Sequence, residues 1–302
     1  MEKDHSAPFD PIHRFSTSWL LPPALLFTLR ALFSAYAFLT LFCIFAYDST
    51  HGNEIAARRS FSYFTYLTYW GLAFYFAFSA AHTASYWLTG MSFLARWPRM
   101  LQRLHSLFYT TIVVFPFLVT SRFCRIALGV TMRSQSLVVY WAILFRGSFY
   151  STFTAWSNVS EHALNSAFAF SEVLLPCTEP LPFLHLIPLI ILLGLYLALA
   201  YVTYATQHFY TYSFLDDQYS GRGRVAGYVI GILVAMMIVF VLVHFLIRLR
   251  LWITETKCGY AAKTSSRDPA RHQRSDDVES VEMARFRSEG PSGANEGAVR
   301  TI

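Results

Sequence analysis

Charge is what this sequence has least of. Only 14% of its 302 residues are charged, against about 25% in soluble chains, so there are too few charges to coat two globular surfaces. Acids are scarcest: between positions 61 and 250 only Glu161, Glu172, Glu179, Asp216 and Asp217 occur. The four cysteines, Cys43, Cys124, Cys177 and Cys258, share no CxxC or histidine-spaced pattern, which indicates neither a zinc site nor a disulfide framework. A phosphate-binding glycine loop, an HExxH pair and a GxSxG elbow are all missing, so nucleotide, metalloprotease and α/β-hydrolase readings have nothing to stand on. No cofactor and no metal are expected. A nucleic-acid partner fits poorly as well, because the +6 net charge comes from arginines at the edges of apolar runs, the pattern of membrane flanks.

Apolar residues are plentiful: 55% of the chain is hydrophobic and 18% aromatic. A bilayer core of about 30 Å needs about 20 apolar residues of helix, and runs at 24–47, 61–88, 160–175, 182–204 and 226–249 meet or approach that length. The first is too long for a cleavable signal and lacks a basic leader. Its single charge, Arg30, lies close enough to the start to be expected to snorkel toward the headgroups. A remaining span must be assembled from 104–120 and 137–145, which are separated by a segment at 121–136 carrying Arg122, Arg125 and Arg133. Nine residues cannot cross alone, so the expectation is one span interrupted by an insertion. The fold class that follows is all-α, a polytopic bundle of six transmembrane helices.

Six crossings put both ends on one side. With the ends cytoplasmic, the inner segments hold nine bases, from Lys3 and Arg14 to Lys257 and Lys263. The outer loops hold five, or eight with the inserted arginines, so the positive-inside rule favours this orientation. The tryptophans Trp19, Trp87, Trp97, Trp156 and Trp252 fall at run ends, where indoles favour the interface. The expected organisation is a cytoplasmic segment at 1–23, a membrane domain at 24–250 and a disordered cytoplasmic tail at 251–302. The tail is rich in Ser, Gly, Arg and Glu and too poor in large apolar groups to fold alone. The membrane would be an endomembrane such as the endoplasmic reticulum, or the plasma membrane.

Polar groups inside a bilayer are costly and usually face a bundle interior. On the second span a 3.6-residue period places Thr65, Thr68, Leu72, Phe76, Ser79 and Thr83 on one face. On the fourth, Asn158, His162, Asn165, Ser166 and Ala169 share a face, with Glu172 at its edge. Thr65 and His162 then enter from the same side at similar depth. A hydroxyl and an imidazole are the minimum set for nucleophilic catalysis, although a membrane threonine more often bonds back to its own helix, and His82, His105, His185, His208 and His244 are alternatives by spacing alone.

The segment Arg59-Ser60-Phe61-Ser62-Tyr63-Phe64-Thr65-Tyr66-Leu67 resembles the opening of the second span in the androgen-induced gene family of membrane hydrolases, and Asn158-Val159-Ser160-Glu161-His162 resembles the Asn-x-x-x-His that starts its fourth helix. The resemblance covers about residues 20–250. It implies a multi-span threonine hydrolase acting on fatty acid esters of hydroxy fatty acids, with membrane lipids as surroundings and a lipid ester as substrate. Thr65 matches the nucleophile, with Thr68 its rival one turn on, and His162 matches the general base. Val-Ser-Glu stands where better-known members carry a Gly-Met-like form. Asn165 and Glu172 are expected in supporting roles, orienting the imidazole or donating to the oxyanion. The competing class is a non-enzymatic multi-pass protein, a small transporter, receptor or scaffold. Protein partners are not specified by the sequence.

Overall fold

The computed structural model describes residues 9–120, 151–216, 218 and 221–269. The segment at 121–136 and the chain from 270 onward lie outside the described residues. Helix is the dominant structure, and no strand longer than an isolated bridge occurs among the described residues. The long helices are α1 (Pro23–Thr50), α2 (Phe64–Thr89), α3 (Arg99–Thr120), a composite α4 over 152–174, α5 (Leu186–Gln207) and α6 (Arg222–Leu251). Three stretches, Pro23–Thr50, Phe183–Gln207 and Arg222–Lys257, are long and apolar enough to cross a membrane, which marks the chain as a membrane protein.

Local signals explain the ends of these elements. Pro23 opens α1 at the position where its missing N–H costs nothing. Helix α2 stops at Gly90, whose positive φ of 75° closes the last turn and whose N–H reaches the Tyr86 carbonyl. A Cβ at Gly90 would also overlap the Arg267 carbonyl. Inward faces repeat at helical spacing: Leu26, Arg30, Ser34, Ala37, Leu41 and Ile44 on α1, and the expected Thr65, Thr68, Leu72, Phe76, Ser79 and Thr83 on α2, are all buried. The outward faces are apolar too, with Leu25, Leu32, Leu39 and Phe42 exposed on α1. Helix α5 is the extreme case, burying only Leu189, Ala200 and Thr203. Exposed apolar area on this scale suits hydrocarbon and not water.

Both described ends meet at one end of the bundle. Ser18 bridges Pro176 and Lys263, the Trp19 indole donates to the Leu174 carbonyl at 2.8 Å and stacks on Tyr260, and Arg14 pairs with Glu255 at 2.9 Å. The boundary expected at 250 moves. Trp252–Lys257 extend α6 as π-helical turns, and the following residues dock, with Tyr86 donating to Asp268 at 2.5 Å. Composition misled here because scattered polar contacts hold the segment: the Lys263 N–H donates to the Ser18 carbonyl, the Ser265 hydroxyl to the Trp87 carbonyl and the Tyr86 hydroxyl to Asp268.

The expectation that Arg30 snorkels is overturned. Arg30 is 0% exposed and forms an ion pair with Glu172 at 2.7 Å, joined by a second bond to the same carboxylate at 2.8 Å. Its other nitrogen donates to the Thr83 hydroxyl at 2.6 Å and the Phe15 carbonyl at 2.9 Å, while Tyr75 donates to Glu172 at 3.1 Å. One site thus ties α1, α2, α4 and the segment before α1 together. Both charges sit near the same end of the bundle, so the nearest neutralising group was cheaper than the reach to a headgroup. Removing one partner of a buried pair costs about 3–5 kcal/mol, whereas replacing both by apolar residues is often neutral. Glu172→Gln is therefore expected to lower the unfolding midpoint in detergent sharply, and Arg30→Met combined with Glu172→Met to restore most of it. A Glu172→Gln protein as stable as the parent would contradict this role.

Candidate active site

The start of α2 is held from outside itself. Tyr63 is extended and supplies no side-chain cap. The Phe64 N–H instead donates to the Tyr212 hydroxyl at 3.0 Å and the Tyr196 hydroxyl at 3.2 Å. Tyr196 donates in turn to the Ser62 carbonyl at 3.0 Å. Two phenols from α5 and the loop after it thus take the place of the Ser or Asp that usually caps a helix. Thr65 follows in the first turn, 9% exposed, with its hydroxyl beside the Tyr212 phenol. First-turn N–H groups have no partner inside their own helix and carry the positive end of its dipole. Thr68 makes the ordinary back-bond, to the Thr65 carbonyl at 2.9 Å.

His162 sits on the composite α4, which begins at Thr152 and not near 160 as expected. Ser151 caps it, accepting from the Thr154 N–H at 3.1 Å. Between α-helical Thr152–Asn158 and Asn165–Leu174, the turn Val159–Leu164 is π-helical, and the Asn165 N–H reaches back to the Ser160 carbonyl. Such turns widen a helix and recur at functional sites. Here the turn carries Ser160, Glu161 and His162. Ser160 is bonded to the Tyr36 hydroxyl of α1 at 2.7 Å, and the Glu161 carboxyl faces the Tyr66 hydroxyl of α2.

That contact is made by the neighbours of the two expected catalytic residues: Tyr66 follows Thr65, Glu161 precedes His162, and α2 packs against the π-helical turn, so Thr65 and His162 lie on adjoining elements beside the contacting pair. The Thr65 hydroxyl lies on the side of α2 that faces the Tyr212 phenol. Asn165 is 0% exposed and lies within the same neighbourhood, with its amide nitrogen donating to the Glu161 carbonyl at 3.2 Å. Glu172 does not join them. Ten residues of helix place it about 15 Å further along the axis, bonded to Arg30 and Tyr75, so the supporting role expected of it is corrected to a structural one.

Two apolar cavities converge on the start of α2. One of about 210 Å³ lies among Phe64, Leu118, Ile190, Tyr196 and Tyr212. The other, about 780 Å³, runs along α2, α3 and α5 past Phe64, Thr68, Phe108 and Tyr196. Phe64 and Tyr196 line both. The sequence reading missed the tyrosines that build this region, Tyr36, Tyr66, Tyr69, Tyr196 and Tyr212. The available signal was their number, 18 in the chain, since a phenol inside an apolar run needs a partner when buried. A histidine–threonine hydrogen bond does occur elsewhere, between His185 Nδ1 and Thr110 Oγ1 at 2.7 Å. Thr110 is fully buried, and its hydroxyl is also within bonding distance of the Ser106 carbonyl, so the pair ties α3 to the segment before α5; like Thr110, neither Thr65 nor His162 lines either cavity, which their neighbours Phe64 and Thr68 reach.

No family model, no curated protein and no solved structure matches this chain. The site therefore stands on its own geometry. Tyr212→Phe together with Tyr196→Phe removes both acceptors of the Phe64 N–H, and is expected to destabilise the fold by about 1–3 kcal/mol, read as a lower unfolding midpoint. Each single variant leaves one acceptor in place and is expected to cost less than half as much.

Proposed function

We propose that this chain is an integral membrane lipid-ester hydrolase, of the kind that cleaves fatty acid esters of hydroxy fatty acids, crossing the bilayer six times with both ends in the cytoplasm of an endomembrane or the plasma membrane. Thr65 is the nucleophile and His162 the general base. The observation that carries the reading is the convergence of two apolar cavities on Phe64, the residue before Thr65. An ester joining two acyl chains would lay one chain in each and present its carbonyl at the first turn of α2.

The chemistry then needs only groups of this chain. The imidazole of His162 takes the Thr65 proton as the oxygen attacks the ester carbonyl. The Thr65 and Tyr66 N–H groups, next to the Phe64 N–H that the two phenols occupy, face the developing oxyanion with the positive end of the helix dipole. The tetrahedral intermediate collapses to an acyl-threonine, and His162 returns the proton to the departing hydroxyl of the hydroxy fatty acid. Water, deprotonated by the same imidazole, releases the free acid and regenerates Thr65. Tyr212 holds the Thr65 hydroxyl between turnovers and is the group from which substrate displaces it.

Six crossings are supported by the run of alternating helices from α1 to α6 and by the meeting of both described chain ends at one end of the bundle. A non-enzymatic carrier is the second reading, favoured by Glu161, a buried carboxyl without a basic partner among the described residues.

Thr65→Ala is expected to abolish ester turnover and labelling by a fluorophosphonate probe. His162→Ala should slow turnover by about 10²–10⁴-fold, and Thr68→Ala should retain both activities. Unchanged turnover in the Thr65 or His162 variants would rule the assignment out. Absence of labelling together with solute flux in reconstituted vesicles would favour the carrier.

A further inference from the structure

The longer of the two cavities has an apolar body and one end that is not. Along α2 it runs from Phe64 to Phe78, fourteen residues or about 21 Å of helix axis. Three polar side chains on its wall are already bonded: Thr68 and Thr111 to carbonyls of their own helices, and Tyr196 to the Ser62 carbonyl. His105 is not. It lines the cavity, is 5% exposed and makes no hydrogen bond with any described residue. Its neighbours are rings, with centroids at 4.8 Å for His82, 5.4 Å for Phe15 and 5.8 Å for Tyr75. The contacts with Tyr75 and His82 set it at the Phe78 end. His82 is 2% exposed, and both of its ring nitrogens lack partners. It also lies 4.7 Å from the ring of Trp97, which shares the cavity wall with His105.

Two touching imidazoles without partners at the end of an apolar cavity form an incomplete polar site, since each orphaned nitrogen carries a desolvation cost. The donor set does not suit a metal, because no group of three His, Cys, Asp or Glu side chains able to hold one occurs among the described residues. A fixed anion such as phosphate fits poorly too. The buried cation beside this end, Arg30, is spent on Glu172, Thr83 and the Phe15 carbonyl. A neutral imidazole offers one N–H and one bare nitrogen. The compact neutral group that answers both is a protonated carboxyl, and burial in low dielectric keeps a carboxyl protonated. We propose that this cavity binds a long-chain fatty acid, with its carboxyl at His105 and His82 and its tail running toward Phe64. The length agrees, since the acyl chain of one leaflet occupies about 15 Å, half of a bilayer core of about 30 Å. The inference rests on the reading of this cavity as an acyl-chain site and names its polar end.

The experiment is photocrosslinking of the full chain in detergent with palmitic acid carrying a diazirine at its methyl end, in competition with palmitic acid, its methyl ester and palmityl alcohol. The acid is expected to compete about 10-fold or more better than the methyl ester, which has no proton to donate. Crosslinks are expected at the Phe64 end, on Phe64, Phe115 or Tyr196. His105→Phe should bring acid and ester to equal potency. Gly71→Leu, which adds a side chain to the cavity wall beside Ile112 and Phe108, should weaken both several-fold. The acid-to-ester ratio is read on the parent chain, so it stands even where His105→Phe does not fold. No saturable crosslink, equal potency of acid and ester in the parent, a preference for the alcohol, or methyl-end crosslinks at Trp97 and Leu101 would overturn the proposal. Fluorophosphonate labelling of Thr65 that persists after such a result would leave the hydrolase reading intact. Absence of that labelling with acid selectivity retained would remove the hydrolase and keep the fatty-acid site.

Discussion

A charge that cannot reach water has to be neutralised where it lies, and the bundle is organised around one such neutralisation. Arg30 on α1 and Glu172 on α4 are distant in the chain and complete each other in the interior. Thr83, Tyr75 and the carbonyl of Phe15 fill the remaining hydrogen-bond positions. Apolar helices in lipid gain little from hiding hydrocarbon from hydrocarbon, so packing and interhelical polar contacts set their arrangement. The pair supplies a register for α1 against α4, and α2 is drawn in through Tyr75 and Thr83. The segment before α1 is captured by the same guanidinium, which explains how residues outside the helices come to close that end of the bundle.

Around that anchor the two halves of the molecule differ in polar content. The closed end relies on charges and carbonyls: Arg250 donates to the carbonyls of Val173, Pro176 and Thr178, so the last turn of α4 is capped by a side chain of α6, although Arg250 Nε, the His82 ring nitrogens and Gln102 Oε1 stay without partners there. The opposite half relies on phenols and hydroxyls, with Tyr36 on Ser160 and Tyr196 and Tyr212 on the start of α2. Here several acceptors are left without donors, and here too the π-helical turn interrupts α4. Unpaired buried groups and π-helical turns occur at both ends, and what sets the α2-start half apart is the meeting of the two apolar cavities at Phe64.

The membrane character and the helical class were legible because they depend on totals and runs, such as the paucity of charge and the apolar stretches at 24–47, 182–204 and 226–249. The inward face of α2 was legible as well, since Thr65, Thr68, Ser79 and Thr83 obey a helical period that survives tertiary packing. What failed depended on partners. Arg30 and Glu172 were each visible as a lone charge in an apolar run, and their shared depth near one end was the clue that they answer each other. The start of α4 was misplaced because Thr152–Asn158 is polar, yet Ser151 caps it and Tyr47 stacks on Phe153 at 3.8 Å. The docked stretch up to Asp268 has no periodicity at all. Its position comes from Ser18, Tyr86, Trp87 and Gly90, which sequence order places far away.

Helix α5 buries only three of its residues, yet Ile190, Leu193 and Leu197 on one side and Leu192, Leu195 and Leu199 on the other wall the two cavities. The wall shared by both chambers is therefore the part of the molecule with the least invested in the interior. Both cavities already open sideways onto the hydrocarbon along that helix, where Ile190, Leu192, Leu195 and Leu199 are themselves exposed. An acyl chain could then slide in from the surrounding leaflet without shedding its lipid environment, and its products could leave by the same seam.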